Sequence, residues 1–141
     1  MFAAVPSPFG RTAASAGAYR RIGVETGVSG ATPHQLVSLL FDGCIDAIAQ
    51  ARGALQQGDA AAKGRAIGRA VRIVEEGLRA GLDLEAGGAL AADLRALYGY
   101  ITLRLTRANL HNDDAALAEC QRLIEPVREA WTRISGDAAP R

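Results

Sequence analysis

The chain has 141 residues and an almost balanced charge, with 16 lysine and arginine residues against 15 aspartate and glutamate residues. This length fits one domain, which can bury roughly two-thirds of its unfolded surface without disulfides or metals. A net charge of +1 argues against proteins that coat polyanions, because those carry a large excess of one charge. Apolar residues make up 49% of the chain but aromatic residues only 5%, and 29 alanines supply the difference. This composition predicts an all-α fold.

The N-terminal segment, residues 1–31, is rich in Ala, Ser, Gly and Pro and shows no helical periodicity. Such a composition predicts a flexible segment. Within it, Ile22 and Val24 alternate with polar or small residues, which is typical of an extended strip that lies on a surface, with Tyr19 as an anchor. We therefore expect these three residues to cap a groove on the folded domain.

The start of the chain has no basic region ahead of its short apolar run, so it does not resemble a signal peptide. No stretch reaches the roughly 18 to 20 apolar residues of a membrane-spanning helix. We expect a cytoplasmic protein with no membrane insertion.

A bundle of four helices is predicted for residues 32–135, followed by a disordered tail at 136–141. The first helix begins with a capping box, in which Thr32 is the N-cap, Pro33 takes the first helical position and Gln35 supplies the return hydrogen bond. It ends at the glycine in position 58.

The second and third helices follow after short linkers. The second is predicted to begin after Asp59 as N-cap and to end near Asp83, and the third to run from Ala89, after Gly87 and Gly88, to the histidine at 111. Short linkers place consecutive helices antiparallel, so the sequence predicts an up-down four-helix bundle.

The fourth helix is predicted to begin after Asn112 or Asp113 and to end near Ile134. Its apolar positions align on one side, whereas Pro126 falls on the opposite side, where we expect solvent and a bend.

The first and third helices carry more apolar surface than a bundle core requires. On the third helix a second stripe accompanies the expected core stripe. Two interpretations remain open: either both helices lie centrally and contact several neighbours, or they line a groove that a partner or the N-terminal segment covers. For the second interpretation the predicted groove residues are Leu36, Leu39, Leu40, Ala92, Ala96, Tyr100, Leu103 and Arg104.

No catalytic constellation, nucleotide-binding loop or metal motif is recognisable in the sequence. We therefore predict a protein that is not an enzyme, with no catalytic residues, no cofactor and no metal. Cys44 and Cys120 lie far apart in sequence at apolar helical positions, which favours two buried thiols over a metal or redox site. His34, in a first helical turn, is expected to be exposed.

A face of the second helix carries four arginines, at positions 65, 69, 72 and 79. Such a face can bind phosphates. Glu75 and Glu76 interrupt it, however, and no aromatic residues are interleaved. A solvated face explains the pattern better than a nucleic-acid partner.

Three stretches together resemble the FliS family, the flagellin-specific secretion chaperones of bacterial flagella. They carry the resemblance by their order and spacing over about residues 18 to 134. The stretches are Ala18-Tyr19, Val24-Glu25-Thr26, Thr32-Pro33-His34-Gln35-Leu36-Val37 and Leu40-Phe41-Asp42-Gly43; Gly87-Gly88, Leu90, Leu94, Leu97-Tyr98, Tyr100-Ile101, Arg104-Leu105, Ala108-Asn109 and Asn112-Asp113; and Leu123-Ile124, Val127-Arg128 and Ala130-Trp131.

The resemblance implies a cytosolic four-helix bundle that binds the disordered C-terminal region of flagellin and prevents premature polymerisation. It further implies presentation of flagellin to a component of the flagellar type III export gate, and an anti-sigma factor as a further partner in some relatives. Tyr19, Ile22 and Val24 match a family segment that the ligand displaces. The alternative is a structural homo-oligomer, in which the surplus stripes of two copies meet across a twofold axis.

Overall fold

The computed structural model of the chain describes the backbone of residues 30–137 and the side chains of residues 30–134. Its helices are α1 (Pro33–Gln56), α2 (Ala60–Arg72), α3 (Leu84–His111) and α4 (Asp114–Asp137), and α2 continues directly into a π-helical segment, Ile73–Arg79. The predicted all-α fold with four helices is confirmed.

The helices form a ring in which each packs against its neighbours in sequence, and α4 closes the ring against α1. Within the described residues, α1 and α3 make no backbone approach to each other, and neither do α2 and α4. The two members of each pair therefore lie at opposite corners of an up-down bundle.

The predicted helix caps are present. Gln35 N donates to Thr32 Oγ1 at 3.1 Å and Thr32 N donates to Gln35 Oε1 at 2.9 Å, which completes the capping box. Asp59 caps α2 by accepting from Ala62 N at 3.0 Å. These bonds satisfy N–H groups that have no partner within the helix.

Asp113 is the predicted residue that caps α4, since its Oδ1 accepts from Ala116 N at 3.2 Å. Asn112 instead ends α3 in the left-handed conformation, with φ 52°. The fourth helix continues past Pro126, which is exposed, and reaches Asp137, three residues beyond its predicted end.

Two other helix boundaries differ from prediction. Regular α-helix in α2 ends at Arg72 and gives way to π-helical turns, so the second helix ends four residues before Asp83. Asp83 instead caps a helical turn that starts α3 at Leu84, and Gly88 interrupts that turn with φ 57° and ψ −135°. A side chain strongly disfavours that conformation, so the predicted start at Ala89 marks the point where α3 becomes continuous.

Small residues bring α1 close to α2. Gly43, Ala47 and Ala51 are buried on α1, and Ala66 and Ala70 are buried on α2. A Cβ atom on Gly43 would lie only 3.3 Å from Ile73 Cδ1. The alanine-rich composition thus serves close packing of helices as well as helix propensity.

Arg52 joins α1 to α4 with a bidentate contact. Its Nε and Nη2 donate to the two carboxylate oxygens of Asp114 at 2.8 and 2.9 Å, and its Nη1 donates to Gln121 Oε1 at 2.7 Å. The hydrogen bonds from Arg52 lower the pKa of the Asp114 carboxyl. The fork geometry fixes the register between the two helices.

Candidate partner-binding surface

The solvent side of α3 carries an apolar stripe, defined by Ala92, Ala96, Leu103 and Leu110, that we call the α3 stripe. Their spacing of four and seven residues places them on one face of a helix. Leu103 is 56% exposed and Leu110 72% exposed, and both alanines are exposed. The described residues therefore do not support the interpretation that neighbouring helices bury this second stripe of α3.

The opposite face of α3 packs into the core through a separate set of buried residues. The set comprises Ala91, Tyr98, Ile101, Leu105 and Ala108. Because the core does not need a second apolar face on α3, the α3 stripe is apolar surface in excess of what the fold requires. Exposed apolar surface of this kind typically marks an interaction site.

The solvent faces of the other three helices are mainly polar in the described part of the chain, with Ile134 near the end of α4 as an exception at 50% exposed. Their exposed side chains include Asp42, Asp46 and Gln50 on α1, Arg65 and Arg72 on α2, and Arg122, Glu125 and Glu129 on α4. Five of the six exposed large apolar side chains of the described residues lie on α3, which singles out this helix as the one that exposes most apolar surface.

A carboxylate on α4 holds one flank of α3. Tyr100 O–H donates to Glu119 Oε2 at 2.7 Å, and Arg104 Nε donates to Glu119 Oε1 at 2.7 Å. These hydrogen bonds, from Tyr100 first and then Arg104, lower the pKa of the Glu119 carboxyl. The hydrogen bond to Glu119 in turn raises the pKa of the Tyr100 hydroxyl. Tyr100 and Arg104, both predicted groove residues, thus lie at the α3–α4 edge of the stripe.

A second carboxylate, on the π-helical segment, holds the other flank. Glu75 Oε2 accepts from Thr102 Oγ1 at 2.6 Å and from Arg79 Nη1 at 3.0 Å. Glu75 Oε1 accepts from the same Arg79 nitrogen at 3.1 Å. The Arg79 guanidinium lies 3.6 Å from where a Cβ atom on Gly99 would stand. The two carboxylates together fix the rotation of α3, which keeps the α3 stripe toward solvent.

This contact corrects the expectation that Arg79 shares the solvated face of Arg65 on the second helix. A π-helical turn holds more residues than an α-helical turn, so the residues after Arg72 rotate away from the predicted face. Glu75 and Arg79 have the i, i+4 spacing of a helical ion pair, and this spacing could have predicted their contact from the sequence. No comparable local spacing marks Glu119, because its partners lie on another helix.

The three predicted groove residues on α1 lie on a different part of the molecule. Leu40 is 1% exposed, and its Cδ1 lies 2.9 Å from where a Cβ atom on Gly77 would stand. It therefore belongs to the core and is not accessible to a ligand here. Leu36 and Leu39 are half-buried. Since α1 and α3 occupy opposite corners, the eight predicted residues form two surfaces and not one groove.

The predicted cap residues Tyr19, Ile22 and Val24 lie outside the described residues.

The N-terminal end of α1 meets α4 through an aromatic stack that the sequence analysis missed. The rings of His34 and Trp131 are parallel within 15°, with centroids 4.1 Å apart, and Trp131 Nε1 donates to the His34 carbonyl at 3.2 Å. His34 is therefore only partly exposed, contrary to expectation, because it covers the Trp131 ring. Partial burial lowers the pKa of the imidazole.

The two cysteines are buried, as predicted. Burial raises the pKa of Cys44 and that of Cys120 to about 12 each.

Among the described residues, no group of three or more His, Cys, Asp or Glu side chains could hold a metal ion. No helix of the described chain combines the length and the hydropathy needed to cross a membrane.

A four-helix bundle with a surplus apolar face on one helix defines a helical protein-binding module. Comparison with known proteins gives that module its family. The sequence profile of the family described as flagellar protein FliS matches residues 15–138. The chain therefore belongs to the FliS family, and this membership supports a role as an export chaperone.

Individual relatives agree with this assignment. The chain is 46% identical to the flagellar secretion chaperone FliS of Salmonella typhimurium over 91% of this chain and 95% of that protein. It is 43% identical to the flagellar secretion chaperone FliSB of Pseudomonas aeruginosa, over 83% of this chain and 92% of that protein. Identity to FliS of Escherichia coli is 41%, over 81% and 84% of the two chains.

Proposed function

We propose that this chain is a cytosolic export chaperone that binds the disordered C-terminal region of flagellin, prevents its premature polymerisation and supports flagellar type III secretion. The observation that carries the proposal is the α3 stripe, an exposed apolar face on a member of a secretion-chaperone family. An export substrate that forms helices in the filament presents apolar stripes that need cover before export, and a bundle surface of this kind supplies it.

The separation of the two predicted surfaces shapes how a ligand binds. A segment that contacts both Leu39 on α1 and Leu103 on α3 has to cross one of the helices between them, because α1 and α3 lie at opposite corners. A disordered segment can wrap in this way, since it folds as it binds. The ordering entropy keeps the affinity moderate, which helps release at the export machinery.

The N-terminal strip is part of the proposal as a competitor for the same surface. Tyr19, Ile22 and Val24 supply apolar side chains at nearby positions, and the strip precedes α1 in the sequence. Release of flagellin to an export gate component, and binding of an anti-sigma factor, follow from the family resemblance as further proposed partners.

Titration calorimetry tests the proposal with a peptide covering the C-terminal segment of the same organism's flagellin. We expect a saturable one-to-one isotherm with a negative heat-capacity change, the mark of apolar burial. The full-length variant Ile22→Ser should bind more tightly if the strip competes with the ligand. Absence of binding, together with a stable dimer at low micromolar concentration by light scattering, would contradict the proposal and favour the homo-oligomer.

A further inference from the structure

Two arginines that have no carboxylate partner among the described residues flank the α3 stripe. Arg95 and Arg107 are exposed, and neither has a side-chain hydrogen bond or an ion pair among the described residues. On a helix, 100° per residue places Arg95 on the flank that faces the π-helical segment and Arg107 on the flank that faces α4. The stripe therefore has a positive charge on each edge.

Other arginines in the bundle have a different use. Arg52, Arg104 and Arg128 each bind a carboxylate on a neighbouring helix, at 2.7 to 2.9 Å. Those pairs hold the bundle together, so their charges are already compensated. Within the described chain no carboxylate compensates Arg95 or Arg107, so their charges can pair with a molecule that covers the stripe.

The stripe also changes in size along its length. Its N-terminal half has small residues, Ala92 and Ala96, with Gly99 beside them, whereas its C-terminal half has the large residues Leu103 and Leu110. Small residues let a second helix approach closely, and the large ones require a matching recess. A ligand of complementary shape has its bulky apolar side chains over the small half.

We infer that the α3 stripe binds an amphipathic helix of the export substrate whose apolar face is edged by acidic side chains, which pair with Arg95 and Arg107. The two arginines are twelve residues apart, which is about 18 Å along a helix. The acidic groups of the ligand therefore stand about three turns apart, on opposite edges of its apolar face. The inference rests on the proposed function and specifies the chemistry of the ligand.

Charges at the rim of an interface act mainly on the association rate and its salt dependence. The test is stopped-flow association of the full-length protein with the flagellin C-terminal peptide at low and high NaCl concentration. We expect Arg95→Glu and Arg107→Glu each to slow association about tenfold at low salt, and the rates to converge on that of the wild type at high salt. Arg95→Gln and Arg107→Gln should have intermediate effects.

A matched variant serves as the control. Arg65→Glu on α2 makes the same charge change at an exposed position away from the stripe, and should leave the rate close to that of the wild type. A peptide with its Asp and Glu residues replaced by Asn and Gln should associate slowly with the wild type. Its association rate should change little in Arg95→Glu or Arg107→Glu.

The outcomes separate the two proposals. If the wild type binds the peptide and the α3 reversals change the rate no more than the control does, the charge inference is wrong and the proposed function stands. If the wild type fails to bind the peptide at all, both are wrong.

Discussion

Arg104 Nε on α3 lies 2.7 Å from Glu119 Oε1 on α4, and the pair marks the edge between the α3 stripe and the core of the bundle. Because Tyr100 binds the other oxygen of the same carboxylate, Glu119 holds two successive turns of α3. A carboxylate thus orients the helix whose outer face we propose as the binding surface.

The first prediction concerns acid stability. The Glu119 carboxyl has a pKa below its usual 4.5 in the folded protein, so its contribution to stability is present above about pH 4.5 and is lost as the pH falls through the folded pKa. Glu119→Gln should therefore show a lower melting temperature than the wild type at neutral pH and a smaller decrease between pH 5 and pH 3. Glu129→Gln, at an exposed position of α4, is the control. Parallel melting curves for Glu119→Gln and the wild type across this pH range would contradict the prediction.

The second prediction concerns packing between α1 and the π-helical segment. A Cβ atom on Gly77 would lie 2.9 and 3.0 Å from the two Cδ atoms of Leu40, and Leu40 is buried with little room to move. Overpacking of this kind costs about 1–3 kcal/mol, which exceeds the roughly 1 kcal/mol that alanine gains over glycine in a helix. Gly77→Ala should lower the free energy of unfolding in urea.

Gly68→Ala provides the matched control, because a Cβ atom on this exposed glycine of α2 meets nothing within 4 Å. It should raise stability by about 0.5–1 kcal/mol. If Gly77→Ala is stabilised as much as Gly68→Ala, Leu40 does not restrict this contact.

The third prediction concerns a buried lysine at the end of α3. Lys63 is 6% exposed, and its Nζ donates to the Asn109 carbonyl at 2.8 Å and to Asn112 Oδ1 at 2.7 Å. From its position on α2, Lys63 thereby donates hydrogen bonds to the C-terminal turn of α3. A cation at this end of α3 also complements the helix dipole. Lys63→Met keeps the apolar stem but loses both bonds, and should cost about 1–3 kcal/mol.

Urea denaturation measures this effect, with the exposed Arg65→Met on the same helix as its control. We expect the control to remain within about 0.5 kcal/mol of the wild type. Equal stabilities for the two variants would mean that the Lys63 ammonium contributes nothing to the α2–α3 contact.

The fourth prediction concerns the thiols. Cys44 and Cys120 are fully buried, and each has a pKa of about 12. Because the thiolate is the reactive form, both should react with a disulfide reagent at pH 8 only as fast as the protein unfolds, and rapidly in concentrated guanidinium chloride. The exposed variant Ala49→Cys should label at once in the native protein. Rapid labelling of a native thiol would show that the core opens locally.

Three of the four helix starts in the described chain could be predicted from sequence because they depend on local chemistry. Thr32, Asp59 and Asp113 each accept a backbone N–H within three residues, so the pattern and its consequence lie in the same short stretch. The outward stripe of α3 could be predicted for the same reason, since the angular positions of Ala92 and Leu103 depend only on helix geometry.

The remaining features depend on contacts between helices. The π-helical turns at Ile73–Arg79 carry no local signal in their residue types, and they shift the face on which Arg79 lies. Leu40 and Leu39 are adjacent in sequence and both apolar, yet the packing of Gly77 beneath Leu40 places one in the core and leaves the other at the surface. Angular positions calculated for one helix at a time also do not reveal where that helix lies in the bundle. They could therefore not show that α1 and α3 occupy opposite corners.

The central claim is that the α3 stripe binds the export substrate, and the most direct measurement compares peptide affinities by calorimetry for Leu103→Asp and Ala49→Asp. Leu103 lies in the α3 stripe, whereas Ala49 lies on the polar outer face of α1. Loss of one buried leucine contact, about 1.5–3 kcal/mol, corresponds to roughly 10- to 100-fold in affinity. We predict that loss for Leu103→Asp in a protein with wild-type circular dichroism, and no change for Ala49→Asp. Wild-type affinity in a folded Leu103→Asp protein would contradict the account.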